Sequence, residues 1–431
     1  MPISKTFAER LMPRLPDLLN QFPTPFHVYD GEGIVASHRR LTAAFEGIRF
    51  QQHFAVKALP NPTILDMLLA EGSGLDCASP IELRLARDCQ AAGDKVVYTA
   101  NNTTPAEISD AIDQGALVTF DDLTALTGAP KLPSVVSFRV TPSIESGASN
   151  LMGQSNSAKF GVPCAEAVLA YQVAKDLGAN RFGIHAMTCA NELSAINLVN
   201  AAQDLANLAV HIEHTVGIEF EYINFGGGLG IPYQLSDADF DLRQFASGLR
   251  AVIDERFRKR DIMVRTEIGR YITGPHGVLI SRVINRMHKG REIIGLDASM
   301  SSLMRPALYG AYHHITFPPI EDQLSDSDEK LDAEIRADVV GSLCENMDKF
   351  AIERTLPDVS PGAVALIHDT GAHGHSMGFN YNGRLRPAEV LLTAGGDFQL
   401  IRRAETFDDY AATVVRIDKR LHATTRNAAA L

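Results

Sequence analysis

From about residue 27 to residue 275, short apolar runs typical of β-strands alternate with longer stretches in which apolar residues have helical spacing. A repeated β/α alternation of this kind favours a parallel sheet, and eight units are the number that closes a TIM-type barrel. The pattern therefore predicts an α/β fold with a (β/α)8 barrel over residues 27–275. The predicted strands are residues 26–29, 52–56, 96–99, 116–120, 135–140, 181–186, 222–225 and 263–267.

The pattern changes after residue 276, where shorter strand-like runs are punctuated by glycine and proline. Such a pattern is typical of an antiparallel β-domain, which we expect over residues 276–431. Residues 1–26 are a candidate to pack against it. Within the β-domain, the acidic, Ser/Asp-rich stretch 321–334 predicts an exposed loop.

Composition and charge narrow the classes of function. The chain has 431 residues, 45% of them hydrophobic, and a formal net charge of −12, which disfavours binding to nucleic acid. No apolar run is long enough to span a bilayer, and the charged N-terminus lacks the pattern of an export signal, so we expect a cytoplasmic protein without a membrane partner. Five scattered cysteines without a CxxC pair indicate neither a disulfide framework nor a metal site. Small-molecule chemistry is favoured.

Lys57 is the first candidate for that chemistry. It ends a predicted strand of the barrel, and barrel enzymes place their chemistry at this end. Desolvation among Phe54, Val56 and Leu59 would lower the pKa of the lysine and free its amine to form a Schiff base. The alternative is an ordinary solvated lysine.

Two polar segments follow later predicted strands, and we expect them at the same end of the barrel as Lys57. The glycine-rich run 225–230 allows backbone N–H groups to approach an anion, although its spacing is not that of a Rossmann dinucleotide site. In the run 266–270, Glu267 is suited to hold a ring nitrogen protonated, and Gly269 with Arg270 is suited to an anion. A structural turn and a surface ion pair are the alternative interpretations.

Further candidate site residues are persuasive only in combination with Lys57, Glu267 and Arg270. His185 ends another predicted strand, with Thr188 close behind it. Further along the chain lie an arginine–tyrosine pair, a cysteine beside an acid, and a glycine-rich loop with a histidine and a tyrosine: Arg305 and Tyr309, Cys344 and Glu345, His373 and Tyr381.

In this combination and order the motifs resemble the fold-type III pyridoxal-phosphate decarboxylases, the group that acts on ornithine, arginine and diaminopimelate, and most closely the diaminopimelate decarboxylases. The resemblance runs from residues 23–29 to residues 386–390. It implies that Lys57 forms the Schiff base with pyridoxal phosphate, that His185 stacks on the ring and that Glu267 pairs with the pyridine nitrogen. The implied phosphate contacts are Thr188, Gly228, Gly269 and Arg270.

The resemblance also implies a homodimer with shared active sites. Arg270, Arg305 and Tyr309 would contact the substrate, and Tyr381 would reach both substrate and cofactor. From the other subunit would come Cys344, as the proton donor, and Glu345. Arg305 with Tyr309 suits a distal carboxylate, which favours meso-2,6-diaminopimelate as the substrate, giving L-lysine and CO2 in the last step of lysine biosynthesis.

Three rivals stay open. One is a related decarboxylase acting on ornithine or lysine, carboxynorspermidine or a carrier-bound amino acid. The others are a noncatalytic carrier of pyridoxal phosphate and a racemase of similar fold. The chain departs from the family's pattern in the stretch after His185, where Met187 and Thr188 replace glycine and serine, at Ile268, where proline is usual, and at His373, where tyrosine is common.

Overall fold

A computed structural model describes residues 3–141, 159–258, 260–320 and 333–415 of the chain. Its strands are β1 (Phe26–Asp30), β2 (Phe50–Ala55), β3 (Gly74–Cys77), β4 (Val96–Thr99), β5 (Leu117–Phe120), β6 (Val136–Thr141), β7 (Val162–Pro163), β8 (Phe182–His185), β9 (Phe220–Asn224), β10 (Met263–Thr266), β11 (Gly277–His288), β12 (Glu292–Leu296), β13 (Ile315–Thr316), β14 (Glu334–Val340), β15 (Lys349–Pro357), β16 (Val364–His368), β17 (Ala388–Leu392) and β18 (Phe398–Arg402).

The helices alternate with the strands in the first part of the chain and are few in the second. They are α1 (Lys5–Leu11), α2 (Leu15–Gln21), α3 (Gly31–Ala44), α4 (Pro62–Ala70), α5 (Pro80–Asp88), α6 (Pro105–Asp113), α7 (Leu123–Thr127), α8 (Cys164–Asp176), α9 (Ala195–Val216), α10 (Leu242–Arg256), α11 (Arg270–Thr273), α12 (Arg305–Tyr309) and α13 (Phe407–Ala411). In the described ranges no helix combines the length and the apolar character needed to cross a bilayer.

Eight parallel strands close into a barrel. Their order is β2, β3, β4, β5, β6, β8, β9 and β10, and β10 pairs with β2 to complete the ring. The largest apolar cluster of the protein combines residues of these strands with the inner faces of the surrounding helices. The predicted (β/α)8 barrel is therefore confirmed.

The first barrel strand was wrongly predicted. Residues 26–29 form part of β1, which lies in the second sheet, antiparallel to β11 and parallel to β17. Its place in the barrel is taken by β3, whose sequence Gly-Leu-Asp-Cys has no β-branched residue and so lacks a strand signal. Leu75 is nevertheless fully buried in the apolar cluster of the barrel, and neighbouring strands pair with both edges of β3.

The second sheet is mixed rather than purely antiparallel. Most of its pairs are antiparallel, but β1 pairs with β17 and β12 with β14 in parallel. Near the N-terminus, Phe7 and Leu11 share an apolar cluster with Val278 and Ile280 of β11. The limits 27–275 and 276–431 remain a prediction, and the acidic stretch predicted as a loop lies, but for its last two residues, outside the described residues.

Three successive helices on the barrel start in the same way, which keeps the loops before them short. The side chains of Asn61, Ser79 and Thr104 each accept a hydrogen bond from a backbone N–H in the first turn, and each is followed by proline at the first helical position. These caps start α4, α5 and α6 close behind the ends of β2, β3 and β4. Because these strands are parallel, the residues at their carboxyl ends face one shared mouth of the barrel.

Candidate active site

A cavity of about 340 Å3 opens at the carboxyl ends of the barrel strands. The polar groups on its wall come from separate strands and the loops that follow them, together with one loop of the β-domain. They include Lys57, Thr99, Asn101, Arg139, Lys159, His185, Asn191, Glu267, Arg270 and His373, with Gly228 and Gly269 as backbone wall. Six predicted site residues, at positions 57, 185, 228, 267, 269 and 270, are thus brought together.

Lys57 lies on a 3-10 turn, Val56–Ala58, directly after β2. Half of its side-chain surface is exposed, and its Nζ donates a hydrogen bond to Oδ2 of Asp76 at 3.1 Å. Desolvation alone would lower the pKa of Lys57, but the carboxylates of Asp76 and Glu267 outweigh it, so the pKa is raised. The predicted lowering of this pKa by apolar neighbours is wrong, because two acids surround the amine.

Asp76 was not foreseen from the sequence. It lies on β3, the strand that lacked a signal, and it is fully buried. Burial, and then the neighbouring Glu267, raise the pKa of Asp76, while Lys57 opposes the shift. An acid in the middle of a short buried run, shortly before the Ser79 cap, was the available signal.

Glu267 follows β10 at the base of the cavity. It accepts hydrogen bonds from Asn224 Nδ2 at 2.8 Å, His185 Nε2 at 3.0 Å and Thr99 Oγ1 at 3.2 Å. Burial alone would raise the pKa of Glu267, but His185, Lys57 and the amide of Asn224 lower it overall. Glu267 is therefore an ionised carboxylate held from three strands.

His185 is completely buried at the end of β8. With Nε2 donating to Glu267, its Nδ1 has no hydrogen-bond partner among the described residues. Its ring forms part of the cavity wall, as expected for a group that packs on a ligand.

The glycine loop 226–228 is shaped by positive φ angles and by close backbone contacts. Gly226 and Gly228 have φ of +64° and +102°, which disfavour other residues. A Cβ on Gly227 would lie 2.6 Å from the carbonyl oxygen of Glu267. The N–H of Gly227 donates to Sδ of Met187 at 3.1 Å, so one amide of the loop is directed at a thioether.

Thr188 is the one predicted phosphate contact that does not line the cavity. It is half-buried against a small void behind the glycine loop, and its hydroxyl lies 3.5 Å from Sγ of Cys189. Met187 lines the cavity in its stead. The role of Thr188 therefore stays a prediction.

Two arginines meet at a tyrosine beside the cavity. Nη1 of Arg270 and Nη1 of Arg305 donate to the hydroxyl of Tyr233, at 2.6 and 2.8 Å. Arg305 is buried, and its Nη1 also contacts Nε2 of His313 at 3.0 Å. Tyr233 was missed from the sequence, although it follows the glycine loop by only a few residues.

His373 and Arg139 complete the wall. The backbone N–H of His373 donates to the carbonyl of Ala58 at 2.8 Å, which ties the β-domain to the turn that carries Lys57. Burial, and then Arg270 and the other nearby cations, lower the pKa of His373 well below its usual value. Arg139, also missed from the sequence, lies over the ring of Phe160 at 4.4 Å.

Five residues predicted to contact the substrate or to donate the proton do not line this cavity, and one of them is the buried Arg305. Tyr309 and Tyr381 are 46% and 52% exposed, and Cys344 and Glu345 lie on the surface of the β-domain. The backbone N–H of Cys344 donates to Oδ1 of Asn382 at 2.7 Å. Their roles in binding or catalysis stay predictions.

Comparison with known proteins identifies the kind of site. A family profile described as "Pyridoxal-dependent decarboxylase, pyridoxal binding domain" matches residues 32–274. Protein TabA of Pseudomonas amygdali pv. tabaci is 54% identical over 414 residues, with 96% of each chain covered. A diaminopimelate decarboxylase of Methanothermobacter thermautotrophicus is 36% identical over 402 residues, covering 91% of this chain and 92% of the relative.

Solved structures agree with the fold. Diaminopimelate decarboxylase of Helicobacter pylori, complexed with L-lysine, is 26% identical with a TM-score of 0.82, covering 92% of this chain and 98% of the other. A lysine/ornithine decarboxylase of Vibrio vulnificus, 19% identical with a TM-score of 0.74, covers 92% of this chain and all of the other and shares the fold.

The cavity fits pyridoxal phosphate on its own chemistry. It offers a lysine amine for an aldehyde, an ionised buried carboxylate for a protonated ring nitrogen, and a glycine loop with Arg270 for an anion. The buried Nδ1 of His185, without a protein partner in the described ranges, adds a polar group facing a ligand-sized space. With the family match and these relatives, the chain belongs to the pyridoxal-dependent decarboxylases, and pyridoxal phosphate is its cofactor.

Proposed function

We propose that this enzyme decarboxylates meso-2,6-diaminopimelate to L-lysine and CO2, the last step of lysine biosynthesis, as a cytoplasmic homodimer. The observation that carries the proposal is the pair of guanidiniums of Arg270 and Arg305 joined at Tyr233. Neither forms an ion pair with a carboxylate among the described residues, so the pair is suited to the carboxylates of a ligand. The diaminopimelate decarboxylases among the relatives support the same substrate.

Different residues of the barrel are proposed to bind different parts of the cofactor. When bound, pyridoxal phosphate supplies an electron sink for the pair of electrons left at Cα after CO2 departs. Lys57 would hold the cofactor through its amine, which lies at the cavity wall. Glu267, kept ionised by Asn224 and His185, favours a proton on the ring nitrogen.

A second group of residues is proposed to bind the substrate. Arg270 and Arg305 orient the carboxylates, with Tyr309 and Tyr381 at the rim. Cys344 and Glu345 come from the second subunit, and the Cys344 thiol delivers the proton to Cα. The surface position of Cys344 and Glu345 supports this assignment, since a group serving another chain's cavity must be accessible.

A second candidate is decarboxylation of a related amino acid. It is favoured by the higher identity to TabA, 54% against 36% for the diaminopimelate decarboxylase, and by Met187 and His373 in the cavity wall. A noncatalytic carrier is disfavoured by the second sheet, which such carriers lack. A racemase is disfavoured by the cysteine at position 344, where a tyrosine would be needed.

The test is CO2 release by the purified enzyme with added cofactor, using meso-diaminopimelate, LL-diaminopimelate, lysine, ornithine and carboxynorspermidine. We expect the highest kcat/KM with meso-diaminopimelate and formation of L-lysine in equal amount to CO2. A higher kcat/KM with another of these compounds would overturn the proposed substrate and leave the assignment to the family unchanged.

A further inference from the structure

The hydroxyl of Tyr233 stands between the two arginines on which the proposed function depends. Tyr233 is 7% exposed and lies between the glycine loop and α10. Its backbone N–H donates to Oδ2 of Asp237 at 3.1 Å, which fixes the loop locally. Its ring packs edge-on against His313 with 5.1 Å between centroids. The phenol is therefore held from both the barrel and the β-domain.

A count of donors shows how this hydroxyl constrains the arginines. The phenol oxygen has two lone pairs and accepts one hydrogen bond from each guanidinium, at 2.6 and 2.8 Å. The second proton on Nη1 of Arg305 is directed to His313, whose Nδ1 lies 2.7 Å from the carbonyl oxygen of His368. His313 therefore donates through Nδ1 and accepts through Nε2, so both protons on Nη1 of Arg305 are engaged.

The other donors of each guanidinium are not engaged by the described residues, and Arg270 presents its guanidinium at the cavity wall. In the part of the chain that the structure describes, Nε and Nη2 of Arg305 and of Arg270 have no hydrogen-bond partner. The Arg305 guanidinium also lies over the Tyr233 ring at 4.7 Å, which orients its plane. The neutral hydroxyl oxygen of Tyr233 therefore holds the two positively charged guanidiniums next to each other, and Nε and Nη2 of each remain without a protein partner in the described structure.

We propose that Tyr233 is a positioning residue that joins Arg270 and Arg305 into one carboxylate-binding unit and so selects substrates with a distal carboxylate. This inference rests on the proposed function and names the group that enforces its substrate class. Without the hydroxyl, nothing in the described structure bridges the two cations, and their repulsion would separate them.

The test is Tyr233→Phe, which keeps the ring contacts to Arg305 and His313 and removes only the hydroxyl. Loss of a hydrogen bond to charged groups corresponds to about 10- to 100-fold, and we expect KM for meso-diaminopimelate to rise by this factor while kcat changes less. If the enzyme also accepts a substrate without a distal carboxylate, kcat/KM for that substrate should differ by less than about threefold between Tyr233→Phe and the wild type.

The matched control is Tyr171→Phe. Tyr171 is also buried and does not line the cavity. Its hydroxyl donates to the carbonyl of Gly183 at 2.7 Å and accepts from the N–H of Phe138 at 3.2 Å. The control, like Tyr233→Phe, loses two hydrogen bonds, so it should lower the melting temperature and leave KM unchanged. An equal KM increase in both variants would overturn the positioning role.

Calorimetric binding of pimelate to the holoenzyme separates the two proposals. Pimelate has two carboxylates and no amine, and its Kd should rise about 10-fold or more in Tyr233→Phe. An unchanged Kd would overturn the role of Tyr233 even if diaminopimelate is the substrate. A raised Kd in an enzyme that does not turn over diaminopimelate would support Tyr233 and overturn the proposed substrate.

Discussion

The barrel mouth and the β-domain surface contribute to the proposed reaction in different ways. At the mouth, Lys57, His185 and Glu267 line one cavity, where His185 is hydrogen-bonded to Glu267 and Lys57 to Asp76. On the β-domain, Cys344 and Tyr381 are exposed and do not line that cavity. The cofactor half of the site is therefore assembled within one chain, whereas the proposed proton donor stands apart from it.

The difference follows from the architecture. Parallel strands of a closed barrel all end at the same rim, so polar residues at those ends must converge. The loops of the mixed sheet have no such constraint. The β-domain residues that we propose to act on the substrate would need a second surface to complete a site, and we expect that surface to be another copy of this chain.

The largest effect should come from Lys57→Ala. Without the amine the enzyme cannot hold the cofactor covalently, so we expect activity to fall by about 10^3-fold or more and the visible absorbance of the bound cofactor to disappear. Lys131→Ala, which removes a surface lysine paired with Asp113, should change neither. Retained absorbance at its normal wavelength in Lys57→Ala would contradict the assignment.

Cys344→Ala should separate the two halves of the site. A lost general acid lowers kcat by about 10²- to 10⁴-fold. Absorbance and cofactor affinity should remain as in the wild type, because residue 344 does not line the cofactor cavity. Loss of cofactor from this variant would mean that the β-domain surface belongs to the cofactor site after all.

Asp76→Asn tests the electrostatics of the barrel half. The Asp76 carboxylate raises the pKa of Lys57. Capture of the cofactor requires the neutral amine, so its rate in the wild type should increase with pH up to the raised pKa. Replacing the carboxylate by an amide lowers that pKa, and the midpoint of the rate profile should move to lower pH.

The measurement is stopped-flow absorbance after mixing cofactor-free enzyme with pyridoxal phosphate across neutral and alkaline pH. Asp94→Asn, at the opposite end of the barrel near Arg265, is the control and should leave the midpoint in place. A midpoint that stays fixed or moves to higher pH in Asp76→Asn would refute the role of Asp76.

Met187 should have the smallest effect. Its sulfur occupies the Gly227 N–H, and a neutral hydrogen bond of this kind corresponds to about 2- to 10-fold in affinity. We expect Met187→Gly to tighten pyridoxal phosphate binding by this factor, measured by absorbance titration. Binding of pyridoxal, which lacks the phosphate, should not change, and Met187→Leu separates the effect of bulk from that of sulfur.

The sequence predicted those parts of the molecule that depend on local pattern. Seven of the eight barrel strands were recovered because each has apolar β-type residues, whereas β3 was missed because its burial comes from its neighbours. Lys57, Glu267 and His185 could be placed because strand ends converge. Asp76 and Tyr233 could not, since their importance arises only from contacts across the fold, with Lys57 and with two distant arginines. The same contacts reverse the predicted pKa shift of Lys57.

The most direct test of a site divided between the barrel of one chain and the β-domain of another is subunit complementation. Lys57→Ala and Cys344→Ala proteins, each inactive alone, are unfolded together, refolded and assayed for CO2 release. In a shared site, a mixed dimer has one intact site, and random mixing should restore about one quarter of wild-type activity. Activity that stays at the level of the separate variants would contradict the account.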